Sequence, residues 1–219
     1  MSLSELWSLY GQNYIDALLA TWGMTLESFA IAMVLAVAVT VMRVSPLKPL
    51  RVFGDLYVQV FRNIPGIALL IIVVYALPPL KVVLPYRTCV IVATVLLGSA
   101  FGSENFMSGI NTVGVGQVEA ARSLGMSFSR ILAKIVIPQA LRSSVLPMTN
   151  LFIAVMLTTA LGSQVPLQPQ ELTGVVSYIN TRSLGGVAAF FISALGYLGT
   201  AFVVSHIGNY IDKKVMILR

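Results

Sequence analysis

The chain has 219 residues, 57% of them hydrophobic and only 10% charged, with a formal net charge of +6. Soluble domains carry roughly 25% charged residues, so this composition excludes an ordinary soluble protein and fits an integral membrane protein of one domain, residues 1–219. The positive balance does not point to nucleic acid, because the basic residues sit at the ends of apolar segments rather than in one patch.

Residues 3–20 place Trp7, Tyr10, Tyr14 and Leu18 three to four apart, with Glu5 and Asp16 elsewhere. That spacing predicts an amphipathic helix in the membrane interface, over 1–22, where Trp and Tyr rings are favoured. No basic residue precedes the first apolar run and no small-residue cleavage site follows it, so a cleaved signal peptide is not expected. A first span follows at 23–42, about 30 Å of helix, enough to cross the hydrocarbon core. A proline-broken basic connection runs from Arg43 through Lys48 to Arg51. A partly amphipathic stretch from Phe53 then leads through Arg62-Asn63-Ile64-Pro65 into a second span at 64–77. Pro78, Pro79 and Pro85 make a short loop, and a third span covers 88–110. Its Gly98-Ser-Ala-Phe-Gly102 segment has the small-xxx-small spacing that lets helices approach closely in lipid. A fourth span at 141–161 is interrupted by Pro147. A polar external loop at 162–185 holds a short helix over 171–180, and a fifth span occupies 186–206.

Lysine and arginine placement sets the topology. Arg43, Lys48, Arg51, Arg62, Arg122, Arg130, Lys134, Arg142, Lys213, Lys214 and Arg219 fall on one side of a five-span arrangement, and only Lys81, Arg87 and Arg182 on the other. The expectation is an all-α membrane protein with five transmembrane helices, the N-terminus outside and the C-terminus cytoplasmic. Residues 111–138 then form a cytoplasmic loop.

Within that loop, Val118, Ala121 and Leu124 give a short helix one apolar face, and Gly125 stands where a helix ends in the left-handed conformation. A second helix begins at Ser127, a good N-cap, with a stripe of Phe128, Ile131, Leu132, Ile135 and Val136; Pro138 punctuates its end. Two short amphipathic helices joined by a glycine turn suit docking into a groove on another protein.

These residues also carry a resemblance. Glu119-Ala120-Ala121, Gly125 and Ile135-x-Ile137-Pro138 resemble the EAA loop of bacterial ABC importer permeases, with isoleucine in place of the usual leucine before the proline. Phe101, Glu104, Gly109 and Ile110 fall on a pattern similar to that of polar amino-acid uptake permeases, but Met107 stands where that family usually has arginine. Thr158 and Thr159 match a later family pattern, in which Met156 replaces a lysine and Leu157 its polar neighbour. Arg62-Asn63-Ile64-Pro65 matches a family entry motif, though a helix start with an interfacial arginine explains it fully. Glu171-Leu172 resembles a family Glu-Leu at a short external helix, where a binding protein could rest; the alternative is a solvated loop.

The resemblance implies a type I ABC importer permease for a polar amino acid such as glutamate or glutamine, in the bacterial cytoplasmic membrane. It implies coupling to an ATPase through Glu119, Ala120, Ala121, Gly125, Ile135 and Pro138, a substrate path past Glu104, Met107, Thr158 and Thr159, and contact with an extracytoplasmic binding protein at Glu171. The implied partners are two ATP-binding subunits, which would carry ATP and Mg, and a second permease. Met107 and Met156 cannot make charge-assisted hydrogen bonds, which fits either the non-binding half of a heterodimer or a substrate less polar than in most of the family. The resemblance favours the heterodimer, because related systems often pair two different permeases. Glu104 also stands out without the resemblance, since a carboxylate at membrane depth is costly unless it meets a polar partner or a watery path.

No GxxxxGK[ST] phosphate loop is present, so ATP hydrolysis of that kind is expected on another subunit and no cofactor on this one. One cysteine, Cys89, and one histidine, His206, exclude an intrachain disulfide and a His-based metal site or triad. No catalytic constellation suggests an enzyme. An ion-coupled secondary transporter is the alternative, although five spans do not divide into the equal halves of an inverted repeat.

Overall fold

The computed structural model describes residues 2–182 and 186–215, and every regular element among them is helical. Helix α1 spans Leu3–Val44 without interruption. Ser2 opens it with a capping box: its hydroxyl accepts from the Glu5 N–H, and the Glu5 carboxylate accepts from the Ser2 N–H at 2.9 Å. The expected junction between an interfacial helix at 1–22 and a span at 23–42 is therefore absent. No proline occurs before Pro46, and the roughly 1 kcal/mol by which Gly23 disfavours helix is offset by burial of Leu6, Tyr14, Ala17 and Met24 on either side of it. At about 1.5 Å per residue α1 is about 63 Å long, twice the hydrocarbon thickness. It stops at Ser45, which is extended because Pro46 disfavours the helical region for the residue before it.

Helix α2, Lys48–Asn63, carries Pro49 in its first turn and ends at Ile64, again just before a proline. Helix α3, Gly66–Ile71, departs from α2 at 102° and runs on through a wide turn at Ile72–Ala76 and a tight one at Pro78–Leu80. The segment expected to be the second span is thus short. The described residues hold four helices long and apolar enough to cross a membrane, and five if the bent α2–α3 pair counts as one.

Helix α4, Tyr86–Asn111, packs against α1 over the largest helix–helix interface. The small residues act as the sequence suggested. A Cβ on Gly98 would sit 3.2 Å from both Ala32 Cβ and Val155 Cγ2, and one on Gly102 would sit 2.8 Å from Ala36 Cβ. An ion pair from Arg87 to Glu27, at 2.8 Å, also joins the two helices.

Helices α5, Val115–Ser123, and α6, Phe128–Ile131, form the predicted double-helical knob. The chain then passes through a wide turn at Leu132–Val136 into α7, Ile137–Ser143. Pro138 does not end a helix here. It lies at the second position of α7, and the wide turn before it accommodates a residue without an N–H. Helix α8, Val145–Thr158, continues as a tight turn to Gln164. The break before α8 falls at Ser144 rather than Pro147, because a proline ring crowds the carbonyl four residues upstream. Helix α9, Leu172–Asn180, is the short helix expected in the 162–185 loop; residues 183–185 of that loop lie outside the described part. Helix α10, Gly186–Val215, extends the fifth predicted span beyond 206.

Candidate functional site

A cleft of about 1060 Å³ opens between α3, α4 and α8, with Arg62 of α2 at its edge. Helix α4 supplies Thr94, Gly98, Phe101 and Asn105, which recur at helical spacing along one face. Helix α8 and the turn after it supply Asn150, Thr158 and Gln164. The Asn105 amide donates to the Pro147 carbonyl at 3.1 Å and so ties the two walls together. Thr94 is buried, and its hydroxyl has no hydrogen-bond partner among the described residues. Apart from Arg62, the polar lining contributed by the described residues is uncharged.

The predicted pathway residues do not converge. Thr158 lines the cleft, its hydroxyl donating to the Ala154 carbonyl of its own helix at 2.8 Å. Thr159 is fully buried and donates to the Met156 carbonyl at 2.6 Å, so it does not face the cleft. Met107 is half-buried and lies outside the lining, and Met156 is buried in the core.

Glu104 stands behind the cleft in a charged network. Its Oε2 meets Arg43 Nη1 at 3.1 Å and Arg62 Nη1 at 3.4 Å. Arg43 also donates from Nε to Asp55 at 2.8 Å and from Nη1 to the Ser103 hydroxyl at 3.3 Å. Arg62 lies 5.4 Å from the centroid of the Phe101 ring, within cation–π range. Two arginines and two carboxylates thus join α1, α2 and α4. In the sequence Glu104 stands out, whereas Arg62 reads as a helix-start residue and Arg43, Asp55, Thr94, Asn105, Asn150 and Gln164 carry no site signal of their own. The face of Thr94, Gly98, Phe101 and Asn105 was a legible signal. The pairing across 42 positions was not.

At the knob, Gly125 has φ +74°. Its N–H donates to the Arg122 carbonyl at 2.9 Å, and the Met126 N–H donates to the Ala121 carbonyl at 3.1 Å. These are the two bonds of a Schellman cap, with Ala121 and Met126 packed in one small core with Ile131 and Val136. Glu119, Ala120 and Pro138 are exposed, and Ile135 is half-buried. Leu124 and Phe128, members of the predicted apolar faces, point outward with 83% and 50% exposure. A Gln139–Gln117 bond of 2.7 Å ties α5 to α7.

Glu171 corrects an expectation. Its carboxylate is buried, not solvated, and caps α9 by accepting from the N–H groups of Thr173 and Gly174, both at 2.6 Å. The Tyr197 hydroxyl of α10 donates to it at 2.9 Å, and the neighbouring Leu172 N–H donates to Thr21 of α1 at 3.1 Å. Burial pushes the Glu171 carboxyl above the usual carboxylate range, against the opposing pull of these hydrogen bonds. A group so enclosed anchors α9 to α1 and α10 and offers no surface to a docking protein.

A family model described as the inner membrane component of binding-protein-dependent transport systems matches residues 28–217. A glutamate transport system permease protein of Corynebacterium efficiens is 33% identical over 208 residues, covering 90% of this chain and 91% of the relative. An L-cystine transport system permease protein of Bacillus subtilis is 31% identical, covering 95% of this chain and 91% of the relative. A crystal structure of an amino acid ABC transporter with histidines superposes with a TM-score of 0.91, over 98% of this chain and 99% of that one, at 24% identity. That last match is a likeness of fold.

Proposed function

The chain belongs to the family of binding-protein-dependent transport system inner membrane components, and from that membership we propose that it is the permease subunit of an ATP-driven importer of polar amino acids, glutamate, glutamine or a related compound, in the bacterial cytoplasmic membrane. Relatives named for glutamate and L-cystine transport support the substrate class. Lysine and arginine placement supports an external N-terminus and a cytoplasmic knob.

The observation that carries the proposal is the knob. It is a compact pair of helices fixed by a left-handed glycine, with Glu119, Leu124 and Phe128 exposed on its outside. An exposed apolar pair on a small rigid body suits insertion into a groove of an ATPase subunit, which would hold ATP and Mg. Closure of an ATPase pair would move two such knobs. Rigid-body motion would then pass through α7 into α8 and change the width of the cleft. The other proposed partners are an extracytoplasmic binding protein and a second permease. A heterodimer is supported by Met107 and Met156, which stand where the amino-acid permease pattern carries charge. In this half neither lines the cleft.

A secondary transporter is less well supported. Its candidate carboxylates, Glu27 and Glu104, each face arginine rather than an open ion site. The test is reconstitution of the complete complex with its binding protein in proteoliposomes and measurement of labelled L-glutamate, L-glutamine and L-cystine uptake. ATP-dependent uptake of at least one is the expected result. Uptake driven by an ion gradient without ATP would contradict the proposal.

A further inference from the structure

Among the described residues, Arg62 is the only charged one that lines the cleft, and it is the most weakly held member of the charged network. Arg43 is fixed: its side chain is only 11% exposed, and it engages Asp55, Ser103 and Glu104. Arg62 is 35% exposed and reaches the same Glu104 oxygen at the longer distance of 3.4 Å. If Arg62 swung away, Glu104 would keep Arg43, so no carboxylate would be stranded. Few ion pairs can be opened on one side at so small a cost, because removing a partner usually leaves an uncompensated charge. The Phe101 ring beside Arg62 also lines the cleft, so the guanidinium already rests on a cleft wall.

We propose that Arg62 is the carboxylate-binding residue of this chain's cleft, and that an entering carboxylate exchanges with Glu104 for its guanidinium. The planar fork of five N–H donors engages a carboxylate through two parallel bonds. Glu104 contributes a single oxygen shared with Arg43, so the exchange gains a better pairing for Arg62. Glu104 then acts as a resting counter-ion that competes with substrate rather than as a substrate ligand. This inference rests on the amino-acid importer reading and assigns that cleft its ligand group. It also gives this half of the transporter a binding role despite the methionines at 107 and 156.

The experiment is equilibrium binding of whichever labelled amino acid the wild-type complex transports, using the purified full complex without binding protein. Arg62→Gln is expected to weaken binding roughly tenfold or more, the order of a lost charge-assisted bond. Arg62→Lys, which keeps the charge but not the fork, is expected to fall between the two. Glu104→Gln is expected to tighten binding, because Arg62 is released while Arg43 retains Asp55. The α-methyl ester of the same amino acid should fail to compete in the wild type. A purely structural ion pair would make Arg62→Gln and Glu104→Gln weaken binding alike, and that result would overturn the proposal. Unchanged binding in Arg62→Gln would do the same, as would a wild-type complex that transports with ATP but binds nothing here. A wild-type complex that transports no amino acid would instead count against the importer reading itself.

Discussion

Along the seam between α1 and α4, Gly102 lies so close to Ala36 that a Cβ built on it would stand 2.8 Å from the alanine methyl and 2.9 Å from Met33 Cε. At the knob, Gly125 has nothing within 4 Å of its missing Cβ, yet its φ is +74°. Glycine serves one region by occupying no space and the other by adopting a backbone that other residues avoid. The seam is thereby a close-packed body, and the knob a shaped handle. A handle whose geometry is set locally can be distorted without loosening the body, and this separates folding defects from coupling defects.

The largest expected effect strikes the body. Gly102→Leu forces a side chain into the seam and should cost about 1–3 kcal/mol, read as a lower thermal midpoint in detergent and reduced yield. At the handle, Gly125→Val should cost about 1–2 kcal/mol from the left-handed backbone alone. Membrane insertion should survive while ATP-driven uptake is lost, whereas Gly125→Asn, which tolerates that backbone, should keep both. Uptake at the normal rate in Gly125→Val would remove the knob from the coupling path.

A smaller effect concerns the junction of α9, where a buried carboxylate rather than a glycine joins the elements. The folded state raises the Glu171 pKa, so it binds the proton more tightly than the unfolded chain does. The associated stability is complete below the ordinary carboxylate value of about 4.3 and is lost as pH rises through the raised folded value. Thermal midpoints measured across that window should therefore fall with rising pH more steeply in the wild type than in Glu171→Gln. The smallest effect is expected from Glu27→Gln. It removes a half-exposed pair with Arg87, worth roughly 0–1 kcal/mol, and should leave the thermal midpoint almost unchanged.

The sequence disclosed these regions unequally, for physical reasons. Gly125 was legible because a helix stop followed by an N-cap serine is a local signal, and so were the helix stops before Pro46 and Pro65 and the helix start after Pro85. The continuity of α1 was not legible. The aromatic spacing in 3–20 suggested an interfacial helix, and only burial of Leu6, Tyr14 and Ala17 beneath α9 and α10 shows why the helix passes straight into the next segment. Glu171 read as a binding-protein contact or a solvated loop residue because its surroundings are polar in sequence, while Tyr197, which bonds its carboxylate, and Thr21, which bonds the neighbouring Leu172 N–H, come from other helices. Leu124 and Phe128 fitted an apolar stripe, but a four-residue α6 followed by a wide turn does not keep a regular helical face. Arg62 was the largest omission, since nothing in its own neighbourhood points to Glu104.

The most direct test of the central claim is intact-complex mass spectrometry on the chain purified gently in detergent, wild type beside Leu124→Ser/Phe128→Ser. The account predicts a complex of this permease with a second permease and two ATPase subunits, and loss of the ATPase subunits alone in the knob variant. A wild-type chain that carries no ATPase, or a knob variant that retains both, would contradict it.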